Sequence, residues 1–360
     1  MTETGPAPLL HWLLGKFPDT PKSRAKQWIL AGRVTVDGAV IRQPHRMMPD
    51  PRDALQLAGR HAATLSPGDG WPIHPRVTLL HLDTSLAVVN KGPGLISVPA
   101  PNASLSALSI LADFIAGRLK PRDRALAGKA LPPAYRKLEL LPVHRLDQFT
   151  SGVFCMAANP DARQKLVEQL RSRAMKREYI AFAEGRAREA RGVWRDWLQL
   201  SRDELRQQIL PGPNPGATEA VTHYEVVEEF SLGGGKHTVS KLRLRLETGL
   251  KHQIRIQAAH AGLPLVGDRT YNPRPRVVFP RQALHAQLLS LEHPAQPGKR
   301  MEWTAQFPKD LRQFEAVLRG GKISWENAFD SSAAAARAGE TRESLESVKQ
   351  RLKQKSARNG

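Results

Sequence analysis

The densest run of reactive side chains in the sequence is His144-Arg145-Leu146-Asp147-Gln148-Phe149-Thr150-Ser151-Gly152-Val153. Apolar, strand-like segments at Leu140–Val143 and Gly152–Ala157 flank it, so the run reads as a loop held by sheet. Nearby positive charge favours the ionised form of a carboxylate. A carboxylate kept ionised and partly desolvated in a cleft is a candidate nucleophile or general base. Asp147, next to Arg and His, has that setting, although Asp147 and Arg145 equally suit a turn cap. A kinase catalytic loop is excluded, because Leu and Asp are transposed and no Gly-rich nucleotide loop precedes them. Gly233-Gly-Gly-Lys236 lacks phosphate-loop spacing and reads as a hairpin turn. His252 with His260, and His285 with His293, lack the Cys partners or His-Glu-x-x-His spacing of a zinc site, so no metal is expected.

The elements that must position this loop follow from periodicity. Leu9–Leu14 and Lys22–Leu30 read as helices, and Val34–Val36 with Val40-Ile41 read as a hairpin around Asp37-Gly38. The Gly- and Pro-dense stretch at 59–76 reads as a linker. Beyond it, Val77–Leu80 and Leu86–Asn90 are strand-like, whereas Ser104–Leu119 and Asp161–Ala174 have helical character. Tyr179–Glu184, Val221–Val227 and Lys241–Glu247 alternate as strands, with Leu242, Leu244 and Leu246 on one face. Arg255 lies between Ile254 and Ile256 and reads locally as an outward strand residue. Residues 184–216 read as an insertion or elaborated hairpin, and 319–360 as a charged tail, solvated or partly helical.

Composition narrows the partners. The chain has 360 residues, with 54 Lys plus Arg against 34 Asp plus Glu, a formal charge of +20 and a single Cys. A hydrophobic content of 41 % supports a packed core and excludes a wholly disordered chain. No apolar run approaches the roughly 20 residues of a membrane helix, so no membrane association is expected. The lone Cys155 forms no internal disulfide, which fits a cytoplasmic protein. The basic surplus points to a polyanion, most simply nucleic acid.

Several segments together resemble one family. His144–Val153 is similar to the His-Arg-Leu-Asp-x-x-Thr-Ser-Gly signature of RluA-type RNA pseudouridine synthases. Leu86–Pro99 resembles that family's opening strand and Asn-Lys-Pro-x-Gly-Leu loop, and Lys176–Gly185 its Lys-x-x-Tyr-x-Ala strand. Gly249–Ile256 resembles Gly-Arg-Thr-His-Gln-Ile-Arg-Val, Gly262–Tyr271 resembles Gly-x-Pro-Ile-x-Gly-Asp-x-x-Tyr, and Leu284-His285-Ala286 matches a later signature. The matches keep the family's order. This chain departs at Lys91-Gly92-Pro93, where the Pro is shifted, at Leu250 and Lys251 in place of Arg-Thr, and at Gln257 in place of a common His.

The resemblance implies an α+β catalytic domain over residues 77–318, with a mostly antiparallel mixed sheet and a central cleft. It implies isomerisation of a uridine in ribosomal or transfer RNA to pseudouridine, with no cofactor, no required protein partner and a monomeric enzyme. Asp147 takes the place of the catalytic nucleophile, attacking at the ribose or at the uracil ring. Arg255 takes the place of its cationic partner, and Tyr179 that of the phenol against the uracil. The matching motifs place His144, Arg145, Leu146, Thr150, Lys176 and Ile254 at substrate-contacting positions, with Arg145 linked to displacement of a flipped base. Residues 8–58 resemble an alpha-L RNA-binding domain of the ribosomal protein S-four type, which implies phosphate contacts from Lys22, Arg24, Lys26 and Arg33. Two rivals set the tests: a non-catalytic RNA-binding protein, and a glycosidase-like enzyme. The second needs another acid about 5–10 Å from Asp147, and Asp268 is the motif-borne candidate.

Overall fold

A computed structural model describes residues 5–30, 34–37, 39–57, 70–101, 105–119, 131, 133–235 and 237–320. The chain divides into two units by its contacts, one of residues 1–89, 108–144 and 155–166, the other of 90–107, 145–154 and 167–360.

The first unit opens with α1 (Leu9–Lys16) and α2 (Lys22–Leu30), followed by β1 (Val34–Val36), β2 (Ala39–Val40) and β3 (Leu55–Leu57), with β1 central. The expected hairpin forms, pairing Thr35 with Val40 and Val36 with Ala39. Asp37 takes a positive φ of 51° at its tip, a conformation Asp tolerates better than most residues. Leu9, Leu13, Ala25, Ile29, Val34 and Leu55 form a core fully withdrawn from water. Trp12 donates its indole N–H to the carbonyls of Ala7 and Met48, which satisfies the polar end of a buried ring.

β4 (Trp71–His74) pairs antiparallel with β5 (Val77–Leu82), so the expected linker ends sooner than residue 76. Ile73 is buried by that pairing, and Pro72 is tolerated because β4 ends the strand order. β6 (Leu86–Lys91) lies beside β5, and α3 (Ala107–Ile115) and α4 (Pro160–Arg171) bracket β7 (Ser151–Ala157) in sequence. Asn159 caps α4 by accepting the Ala162 N–H, the Asn-Pro start signal in the sequence.

The second unit is built on β8 (Lys176–Glu184), β9 (Arg191–Leu200), β10 (Gln207–Leu210), β11 (Thr218–Leu232), β12 (His237–Leu246), β13 (Leu284–Glu292) and β14 (Arg300–Thr304). Their order is β10-β9-β11-β12-β8-β13, with β14 also on β13 and every one of these pairings antiparallel. The start of β7 joins β13 in parallel, pairing Ser151 with His285 and Gly152 with Ala286. The α+β expectation therefore holds, and residues 184–216 prove to be hairpin strands β9 and β10 within the sheet. Leu242 and Leu244 of β12 are fully buried, as the alternation requires. α6 (Lys309–Gly320) packs Leu311, Phe314 and Leu318 against Phe182, Phe230 and Phe279.

Arg255 lies on a helix, α5 (Gln253–His260), and not on the strand that its Ile neighbours suggest. Six consecutive residues of α5, Gln253–Ala258, are buried, so no amphipathic period betrays the helix. Its polar members are satisfied by the sheet. Gln253 donates to the Val221 carbonyl and the Thr222 hydroxyl, while Gln257 donates to Asp196 and the Ala220 carbonyl. Two motif glycines permit close backbone approach. At Gly152 (φ 121°) a Cβ would come within 2.1 Å of the Ala286 carbonyl oxygen, and at Gly267 (φ 72°) within 2.1 Å of that of Arg281.

Candidate active site

The loop 145–150 carries Asp147 and is pinned from four directions within the second unit. Lys91, fully buried, donates its ammonium to the carbonyls of Gly92, Leu95 and Gln148. Ser97 exchanges hydrogen bonds of 2.9 Å with both backbone polar groups of Leu146. Arg281 donates to the Phe149 carbonyl at 3.0 Å, and the Thr150 N–H closes a turn on the Asp147 carbonyl at 3.1 Å. The Asn-Lys loop thus supports the Asp147 loop directly, despite its shifted Pro.

Asp147 meets α5 through its side chain. Arg255 Nη1 donates to Asp147 Oδ2 at 3.1 Å. The other edge of the same guanidinium grips Asp268, with Nε to Oδ2 at 2.6 Å and Nη2 to Oδ1 at 2.8 Å, and Nη2 also reaches Thr270 Oγ1 at 3.0 Å. Asp268 is sealed from solvent, Arg255 is 7 % exposed and Asp147 is 20 % exposed, so Asp147 is the open member. Burial works against the Arg255 charge, but the paired Asp268 and then Asp147 outweigh it and raise its pKa. Asp268 also accepts the N–H groups of Thr270 and Tyr271. It is therefore fully engaged in holding Arg255, unlike the free second acid of a glycosidase.

His252 stands at the foot of α5 in a left-handed conformation (φ 56°), a strained backbone state that marks a held position. Its Nε2 faces Asp147 Oδ2 at 3.9 Å, and its Nδ1 lies 3.1 Å from the Tyr271 hydroxyl. Burial, countered in part by Asp147, lowers the His252 pKa, so the ring is neutral at pH 7. Tyr271 lies under the Arg255 guanidinium, 5.3 Å from its centre. Tyr179, on β8 beside Ala286, is buried, and burial raises its phenol pKa. The Asp147 charge adds to that rise.

The remaining expected residues separate into groups. Leu146, Thr150 and Ile254 are buried beside or within the loop and helix that present Asp147 and Arg255; Arg145 and Lys176 are exposed. His144 belongs to the first unit, where its Nε2 accepts the Cys155 N–H at 3.2 Å, a structural bond. Lys22, Arg24 and Lys26 are exposed on α2, and Arg33 lies outside the described residues. Read from sequence, Lys91, Thr270 and Tyr271 have no role of their own, His252 is offered only as a metal ligand and Asp268 only as a second acid. All five sit inside quoted motifs, and their pairing across segments is the missing information.

Comparison with known proteins bears on the same segments. Residues 85–260 match the family model of RNA pseudouridylate synthase, from the start of β6 to the end of α5. The chain is 33 % identical over 332 residues to the ribosomal large subunit pseudouridine synthase D of Yersinia pestis, covering 87 % of this chain and 91 % of that one. The chain belongs to the RluA-type RNA pseudouridine synthases. The synthase is similarly 34 % identical to the protein of the same name from Escherichia coli K12, over 84 % of this chain and 88 % of that one. With the Pseudomonas aeruginosa protein it shares 33 % identity over 84 % of this chain. The synthase is thus an isomerase that converts uridine in RNA to pseudouridine. No described helix of it is long and apolar enough to cross a membrane.

Proposed function

We propose that Asp147 is the nucleophile of the isomerisation and that the substrate is ribosomal RNA of the large subunit. The observation that carries this reading is the Arg255 bridge: one guanidinium holds the half-open Asp147 at 3.1 Å while its other edge is locked on sealed Asp268. A fixed cation beside the carboxylate aims it, and it also stabilises the carboxylate as it leaves. The large-subunit assignment rests on the names of the relatives above.

In the reaction the N1–C1′ bond breaks, the uracil turns, and C5 bonds to C1′. C5 then loses its proton and N1, freed from C1′, gains one, so the product is an isomer. Attack at C1′ and attack on the uracil ring both put an Asp147 oxygen on carbon and later release it. Tyr179, kept protonated by burial, is suited to lie against the uracil and to donate or receive through its hydroxyl. A uridine must leave its stack to reach a carboxylate in a loop, at a cost of a few kcal/mol. Arg145, two residues from Asp147 and exposed, is positioned in sequence to stack in the vacated space.

Large-subunit RNA tritiated at uracil C5 tests the reading. Tritium release with RNA mass unchanged is expected from the unaltered protein, and free uracil would indicate a hydrolase instead. Asp147→Asn should abolish release while RNA binding persists; turnover surviving in that variant removes Asp147 from the mechanism.

A further inference from the structure

Outside the catalytic cluster, the second unit holds a cavity of about 430 Å³ where the end of β8, the start of β12 and the segment 272–277 converge. Its lining includes Arg186, Arg274, Arg276, His237 and Thr238. Arg274 and Arg276 are exposed, and among the described residues no carboxylate forms an ion pair with either. His237 adds a ring nitrogen, Nδ1, that is buried and has no hydrogen-bond partner. A buried polar atom left unpaired costs free energy unless something binds it.

Arg186 is already paired with Glu229 at 3.0 Å, and the carboxylate within the lining has its hydrogen-bonding capacity committed. Glu184, 7 % exposed at the end of β8, accepts the Asn272 side-chain amide at 3.0 Å and the N–H groups of Arg276 and Val277 at 3.0–3.1 Å. These bonds hold the Asn-Pro-Arg-Pro-Arg-Val segment in one shape, and its prolines restrict it further. The segment continues directly from Asp268–Tyr271, which contact Arg255, and the Asn272 N–H bonds the Asp268 carbonyl. The eight residue-to-residue steps from Asp268 to Arg276 span at most about 29 Å of extended chain. A group bound here is tied to the catalytic centre by a short, anchored loop.

We infer that this cavity is a phosphate subsite for the substrate RNA, in which Arg274 and Arg276 grip a backbone phosphodiester and the unpaired His237 nitrogen completes the donor set. Glu184 is the positioning residue of that loop. The inference rests on the chain acting on RNA but not on Asp147 being the nucleophile. Phosphate contacts of this kind fix the register of an RNA without reading its bases. A stretch of RNA held here would present its target uridine to Asp147 in one orientation.

Binding measured in an Asp147→Asn background separates this inference from the mechanism. The joint variant Arg274→Gln and Arg276→Gln should raise the Kd for large-subunit RNA about tenfold at low salt. It should also lower the slope of log affinity against log salt by roughly 0.7–0.9, the share of one neutralised phosphate. Arg188→Gln with Arg202→Gln removes equal charge from exposed positions outside the cavity lining and should leave Kd within about twofold, since exposed charges not seated on a phosphate are screened. Glu184→Gln, which replaces one acceptor oxygen by an amide donor facing these N–H groups, should weaken binding in the same direction. An unchanged Kd in the cavity variant, a weaker Kd with an unchanged salt slope, or an equal loss in the control variant would each overturn the phosphate subsite. Loss of tritium release in Asp147→Asn reports on the nucleophile and is independent of this binding comparison.

Discussion

Arg255→Lys preserves the positive charge and removes the fork, which isolates what the geometry contributes. Arg255 contacts its two carboxylates through different nitrogens, Nη1 to Asp147 and Nε with Nη2 to Asp268. A lysine ammonium is a single point and cannot span both. Asp268 has no solvent exposure and cannot recover water, whereas Asp147 at 20 % exposure can. The ammonium therefore settles on Asp268, and Asp147 loses its charge-assisted hydrogen bond. Such a bond contributes about 1.5–3 kcal/mol, which corresponds to a rate loss of about 10- to 150-fold at 1.36 kcal/mol per decade. Single-turnover tritium release at saturating RNA measures that loss, and a filter-binding Kd should stay within about twofold because the altered group is buried behind the carboxylate. A variant that turns over within threefold of the parent, or that loses affinity while keeping its rate, would refute the bridging role.

Other expectations follow from neighbouring contacts. Asp268→Asn leaves the buried guanidinium with one carboxylate fewer, so a loss of about 3 kcal/mol and a fall in Tm of about 6–12 °C are expected by calorimetry, with activity falling in parallel. A Tm within two degrees of the parent would contradict the locking of Arg255 by Asp268. Gly152→Ala drives a methyl against the Ala286 carbonyl at a φ that L-residues avoid, so soluble folded protein should be lost or strongly destabilised in expression and melting assays. His285, fully buried with its pKa pushed down to about 4 by burial, stays neutral in the fold while the unfolded chain takes up its proton near pH 6.5. The unfolded state therefore binds more protons in that window, and stability is lost as pH falls from 6.5 towards 4, by up to roughly 3 kcal/mol from this one group. Urea unfolding at pH 7 and pH 4.5 should show a shallower pH dependence in His285→Gln, and equal dependences would exclude His285 as a source.

Much of the positioning machinery is readable residue by residue. The helix over Lys22–Leu30, the hairpin at Asp37-Gly38 and the alternation of β12 follow from local periodicity and turn chemistry, which act over a few residues. Asp147, Tyr179 and Arg255 are named by their motifs. The α5 helix is not readable in this way, because the sheet buries its polar and apolar residues alike and erases the amphipathic period; Ile-Arg-Ile then imitates a strand. Similarly, Trp71–His74 looks like linker because its Gly and Pro neighbours dominate, and only pairing with Val77–Leu82 makes it a strand.

The amino-acid sequence alone determined the family, the charge that suits a polyanion, and the individual side chains proposed to carry the reaction, since these are properties of residue type and order. Tertiary structure decided which of them meet. It set Arg255 between Asp147 and Asp268, 108 and 13 residues away along the chain, placed Lys91 under the Asp147 loop, and put Glu184 beneath the arginines of 272–277. Each is an electrostatic pairing between segments far apart in the chain. Coulomb energy depends on separation in space and on local dielectric, and neither quantity exists until the chain has folded.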